Sequence, residues 1–446
     1  MVRKLGGISL SVFVAVLLCA VALPAFSTGR QEEPAEQFEI LWRIGGSGEY
    51  INPAIEMFRE MYPDVEVSVE YSPAAHEILR PRFAAGNPPD IFQVNVGFFD
   101  LFGAIDEGRI RPLTDVLDRT PVGEDITIWE KLDQSLMNFL SVGGEHYILS
   151  DNQFIATIYY DRALFREKGW VVPHTWDDFV ALSTRIVEEE DAIAPFVFPG
   201  QYPYYMLHSF FWSLVADHGG EQAIRDMNSL TPGFYSSESM LQAAERVQFM
   251  RDNGFFIDGL PALSHTEAQM EFINRRAAML ASGSWVYNEM EGDWPAGFEL
   301  APMSPPVRQH SDTAFVRISN SYVAIPADAQ NPEAAEEFVR ILFSEDVRRQ
   351  LIRDYNTFLP VRDLTVGMED IMAPPVRESY AMLDEPDVQT YITPIQLWYS
   401  EFYGYIDEQM GALVMGRIDA QEFVDSLEAR AGQVRADPDI PRRTME

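Results

Sequence analysis

Seven histidines stand at 76, 146, 174, 208, 218, 265 and 310. None is three to five residues from another, the spacing that sets two imidazoles on one helix face around a metal. His76-Glu77 lacks the second histidine of a zinc-protease helix. No Gly-x-Ser-x-Gly elbow occurs, and no phosphate loop ends in Gly-Lys-Ser/Thr. With 69 Asp and Glu, a pair such as Glu289 and Glu291 says little for glycoside hydrolysis, and a solvated acidic surface is the simpler reading. What remains is a chemistry of aromatics and amides. Tyr202, Tyr204 and Tyr205 sit in a Pro-broken segment before a helix. Trp398, Tyr399, Phe402, Tyr403 and Tyr405 crowd into eight residues, and Ser319, Asn320 and Ser321 precede a strand. A Gly-Ser-Trp stretch ends at Trp285. Aromatic faces cover the apolar face of a sugar ring, while amides and carboxylates bond its hydroxyls. Taken one at a time, each aromatic is more often core than platform.

The elements that must position these residues alternate strand and helix. "FEILWRI" (38–44) reads as a buried strand, 51–61 has helical spacing, "DVEVSVEY" alternates with period two, and "DIFQVNV" is a further apolar strand. This order predicts a βαβ unit, a largely parallel sheet, and ligand contacts from the loops at the strands' carboxyl ends. Helix starts are marked at Thr175 with Asp178, at Asn331-Pro332, and at Asp419 with Glu422. Residues 235–254 read as another amphipathic helix.

At 446 residues the chain is too long for one ordinary core, so two lobes are expected. Arg3 and Lys4, the apolar run from Gly7 to Phe26, and Ala25-Phe-Ser27 read as a signal peptide over 1–27. That places the mature chain in the periplasm or outside the cell. Cys19, the one cysteine, lies in this leader; it offers a lipid anchor, although Leu18 before it is bulkier than a lipoprotein signal prefers. Without it, neither disulfides nor thiolate metal sites are available. The net charge of −36 repels nucleic acid and anionic lipid.

Six motifs in order resemble the family 1 extracellular solute-binding proteins that serve carbohydrate ABC transporters. They are "FREMYPDVEVSVEY", "RFAAGNPPDIFQVN", "DEGRIRPLTD", "GGEHYILSDNQFIATIYYDRALFREKGWVVPHTWDDF", "FINRRAAMLASGSW" and "AIPADAQNPEAAEEFVRILFS". In the fifth, Arg275 stands where the family usually has glycine. The run "SHTEAQ" through "GSWVYNEM" to "PAGF" is similar to binding proteins for N-acetylglucosamine and its β-linked disaccharide. The resemblance implies an α/β fold of two Rossmann-like lobes joined by a hinge, the type II periplasmic-binding-protein or Venus-flytrap form. One lobe would hold 37–151 plus 316–362, the other 154–312 plus 368–440. It implies a monomer that binds a mono- or oligosaccharide without cofactor, metal or catalysis and delivers it to membrane permease subunits. Carried over by motif, the ligand would stack on Trp285 and bond Asn288. Ser47, Glu49, Asn95 and Phe98 would contact it from one lobe, and Asp151, Asn152 and Gln153 from the first crossing segment. Tyr204, Tyr205, Asn320, Trp398 and Tyr399 would complete the cleft. Arg275 and Arg276 are expected to be turn charges. Two rivals are a secreted glycoside hydrolase and a carrier for another solute, such as ferric iron held by tyrosines.

Overall fold

The computed structural model describes residues 36–45, 48–95 and 99–445. The leader with Cys19, the residues Ser47 and Phe98, and the side chain of Asn95 lie outside the described residues. Among the described residues eleven strands run β1 (Glu36–Arg43), β2 (Val65–Ser72), β3 (Ile91–Asn95), β4 (Ser141–Val142), β5 (Glu145–His146), β6 (Ile148–Asp161), β7 (Ala194–Val197), β8 (Ala277–Gly283), β9 (Leu300–Met303), β10 (Ala314–Ala324) and β11 (Val388–Tyr391). Nine form one sheet in the order β2-β1-β3-β10-β6-β8-β7, with β11 beside β10 and β9 beside β6. β4 and β5 make a separate small hairpin.

Two long strands organise this sheet. β6 spans 14 residues and β10 spans 11, and they run antiparallel to each other. Their one end joins the parallel set β1, β2 and β3, with Asn95 opposite Ser321. Their other end joins β8 and β9, with Gly283 opposite Ala156, and β7 runs parallel to β8. The result is a mixed α/β fold of two lobes that share β6 and β10, the class expected.

Local chemistry explains the elements. Phe38, Ile40, Leu41 and Trp42 are all buried, as a central strand covered on both faces requires. β2 is an edge strand, and its residues alternate between half-buried and exposed. Capping boxes at Thr175/Asp178 and Asp419/Glu422 start the helices Trp176–Glu189 and Ala420–Ala436, as read from the sequence. Asn331 differs. Its side chain makes no cap bond and instead donates to the Gln37 carbonyl. Asp90, the acid of the Pro-Asp motif, accepts from the Asn331 N–H (2.7 Å) and the Glu39 N–H (2.8 Å), so it ties that helix start to β1. The expected helix 235–254 is Glu238–Asp252, entered by a short turn Phe234–Ser236.

One expectation about a strand start needs correction. Ser319, Asn320 and Ser321 do not precede a strand; they lie inside β10, which begins at Ala314. Their polarity hid the strand, and it is tolerated because β6 faces them with Phe154, Gln153 and Asn152 and supplies bonds such as Ser150 Oγ to Asn320 Oδ1 (3.1 Å). Among the described residues, no helix is long and apolar enough to cross a membrane.

Candidate functional site

β8 is buried at every position, and its small residues pack it between β6 and β7. At its end the chain turns back on itself. A Cβ on Gly283 would fall 1.9 Å from the Trp285 ring, so glycine alone lets the indole lie across the backbone there. Phe154 of β6 meets that indole edge-on at 4.9 Å between ring centres, and Tyr205 does so at 6.0 Å. Trp285 is half-buried, and its N–H is enclosed without an acceptor among the described residues. Tyr204 stacks on Tyr205 at 4.8 Å, where Pro203 begins a short helical turn. Trp285, Tyr204, Tyr205 and Phe154 therefore form one aromatic wall.

The wall is braced from behind. The Tyr205 hydroxyl lies 2.7 Å from His265 Nδ1, and His265 Nε2 lies 2.6 Å from Glu289. Gln269 Nε2 donates to the same carboxylate at 2.5 Å. The carboxylate accepts only, so Nε2 carries a proton toward Glu289, and Nδ1 pairs with the Tyr205 hydroxyl. Ser264 starts the helix of His265 and Gln269 with a capping box to Glu267. The "SHTEAQ" and "NEM" parts of the motif thus serve one purpose, which is to fix Tyr205 and the turn of Trp285.

The other candidates divide by what already bonds them. Asp151 is fully buried, accepts from the Tyr50 hydroxyl, and accepts from Ser321 Oγ at 3.0 Å; burial pushes its carboxyl up to about 6. It knits the turn after β1 to β6 and β10. Asn320 is buried and accepts from Ser150. Asn288 donates to the Tyr355 carbonyl (2.6 Å) and accepts from Asn356 (2.8 Å). Glu49 is exposed and accepts from Asn52. Trp398 and Tyr399 are buried, and the Tyr399 hydroxyl bonds both backbone groups of Arg443. Asn152 and Gln153 are half-buried, and Gln153 borders a cavity of about 450 Å³ with Leu136, Phe139, Ile318 and Tyr391. None of the four wall aromatics lines that cavity. The cavity and the aromatic wall are therefore separate features of the molecule.

Arg275 and Arg276 are turn charges. Arg275 has φ 58°, the left-handed conformation that explains the family's glycine, and is held by Asp161 at 2.7 Å and the Gly297 carbonyl. Arg276 pairs with Glu271.

Sequence reasoning missed a polar group beside the wall. His208 Nε2 lies 2.6 Å from both the Tyr403 hydroxyl and the Gln396 amide, and burial holds its pKa well below the usual range. Arg317 of β10 is buried, donates to Thr393 Oγ1 (2.8 Å) and Ser319 Oγ, and has no carboxylate partner among the described residues. These groups come from three segments, around 208, 317–319 and 393–403, which no local spacing joins to one another.

Comparison with known proteins adds three findings. The profile of the bacterial extracellular solute-binding proteins matches residues 44–349. The diacetylchitobiose binding protein NgcE of Streptomyces coelicolor is 20% identical over 411 residues, covering 89% of this chain and 85% of its own; a multiple sugar-binding protein of Streptococcus mutans is 22% identical over 347 residues, covering 76% and 78%. Among solved structures, an ABC substrate-binding protein of Listeria monocytogenes in complex with cycloalternan superposes with a TM-score of 0.74 at 16% identity, over 90% of this chain and 99% of that one. A chitin oligosaccharide binding protein gives 0.74 at 17%, over 90% and 100%.

Proposed function

This chain belongs to the bacterial extracellular solute-binding proteins, and on that premise we propose that it is the carbohydrate-binding component of an ABC importer. It takes up a mono- or oligosaccharide outside the cytoplasmic membrane and hands it to permease subunits, without chemical change to the ligand. The relatives named for diacetylchitobiose and multiple sugars support the ligand class. The motif around Trp285, shared in outline with acetamido-sugar binders, favours N-acetylglucosamine or its disaccharide. Segments 37–151 with 316–362 and 154–312 with 368–440 act as the two closing bodies.

The observation that carries this reading is the wall of Trp285, Tyr204 and Tyr205. The half-buried rings of Trp285 and Tyr204 offer an apolar face, backed by the buried Tyr205. A ligand that prefers the closed arrangement shifts the population toward it, and that difference is what a permease reads. Calorimetric titration against diacetylchitobiose, N-acetylglucosamine, maltose, cellobiose and raffinose tests the reading. One-to-one binding of an acetamido sugar supports all of it. Binding of another sugar keeps the carrier and discards the acetamido preference, and turnover of a chromogenic glycoside would favour the hydrolase instead.

A further inference from the structure

Asn288 and Glu289 are neighbours on the short helix Val286–Met290, which Trp285 begins, and they tie it in opposite directions. Glu289 bonds His265 and Gln269, on the half that carries the aromatic wall. Asn288 reaches the other half. Its Nδ2 donates to the Tyr355 carbonyl at 2.6 Å, and its Oδ1 accepts from Asn356 Nδ2 at 2.8 Å. A carbonyl only accepts, so the first bond fixes the orientation of the Asn288 amide and leaves Oδ1 to face Asn356. Tyr355 ends the helix Glu345–Tyr355, which packs on the helix Asn52–Met61 that follows β1. Asn356 comes next in the left-handed conformation, φ 46°, which asparagine tolerates better than most residues. Both asparagines are half-buried, and both ends of the Asn288 amide are engaged.

We propose that Asn288 and Asn356 form a latch between the two halves and act as positioning residues for Trp285, through which they set the sugar affinity. The indole stands at the start of a helix barely more than one turn long, so what holds Asn288 also holds the ring relative to the half that carries β1 and β3. A sugar stacked on that ring and bonded by the other half favours the latched arrangement, and the latch favours the sugar by the same factor. Two neutral amides do this with no charge to desolvate. The inference rests on the carbohydrate-carrier reading.

The test is calorimetric titration of the full chain with diacetylchitobiose, maltose and raffinose, on wild type, Asn288→Ala, Asn356→Gly and the double variant. Thermal melts of each protein without sugar accompany it. Glycine takes the left-handed backbone freely, so Asn356→Gly removes the amide and should leave the Tm near that of wild type. It should still weaken the sugar that binds wild type by about threefold or more, and Asn288→Ala, which loses both bonds, by about fivefold or more. The double variant should bind as Asn288→Ala does, because the second change removes a bond already lost. Asn356→Gly binding like wild type overturns the proposal and spares the carrier reading; a loss confined to Asn288→Ala would then mark Asn288 as a direct ligand contact. Losses that multiply in the double variant overturn the shared latch, and a weakened Asn356→Gly whose Tm collapses overturns it as the mark of a helix cap alone. A wild-type protein silent toward all three sugars overturns the carrier reading and the latch together.

Discussion

At the residue scale, burial decides which polar groups are structural. Asp151 came to attention as a polar residue in a crossing segment, the kind that meets ligand, and its position in the sequence says nothing of Tyr50 or Ser321, which bond it. Those partners arrive from 101 and 170 residues away. Its carboxyl sits at about 6 in the folded chain, above the unfolded value near 4. The folded state therefore keeps a proton that the unfolded chain releases, and this site's contribution to stability declines as pH rises from about 4 to about 6. Urea unfolding at about pH 4.5 and pH 7 should show that Asp151→Asn loses less stability than wild type across that interval. An equal loss in both proteins would mean that Asp151 titrates normally.

At the element scale, patterns set by near neighbours were legible and those set by distant ones were not. β1, β2 and β3, and the capping boxes at Thr175 and Asp419, follow from residues within a turn or a strand's length. The early start of β10 was hidden, because Ser319–Ser321 look like a loop until β6 is placed beside them. The helix His265–Ile273 is an intermediate case, where the motif was visible but its purpose was not. Its His265 joins Tyr205 to Glu289, so His265→Leu removes both ring-nitrogen bonds and leaves the Glu289 carboxylate with Gln269 alone. We expect a loss of about 1–3 kcal/mol in unfolding free energy. The sugar affinity should fall as well, while His265→Gln, which keeps one bond, should fall between Leu and wild type in both assays. A variant as stable and as tightly binding as wild type would show that the wall needs no brace.

At the scale of the whole molecule, the two halves are linked by more than β6 and β10. Arg443 reaches Asp106 at 2.7 Å and lies over the Phe102 ring at 4.5 Å, on the half that carries β3, while Met445 bonds Ser229 on the other. Such contacts bias how the halves lie against each other, and a ligand held by both adds to that bias in proportion to its preference for the closed form. The family and the fold class were legible from ordered motifs. Small-angle scattering with the sugar that binds best, on wild type and Trp285→Ala, tests the account most directly. The account predicts a smaller radius of gyration on adding sugar to wild type and no change in Trp285→Ala at the same concentration. Tight binding to wild type with no contraction, or an equal contraction in Trp285→Ala, would contradict it.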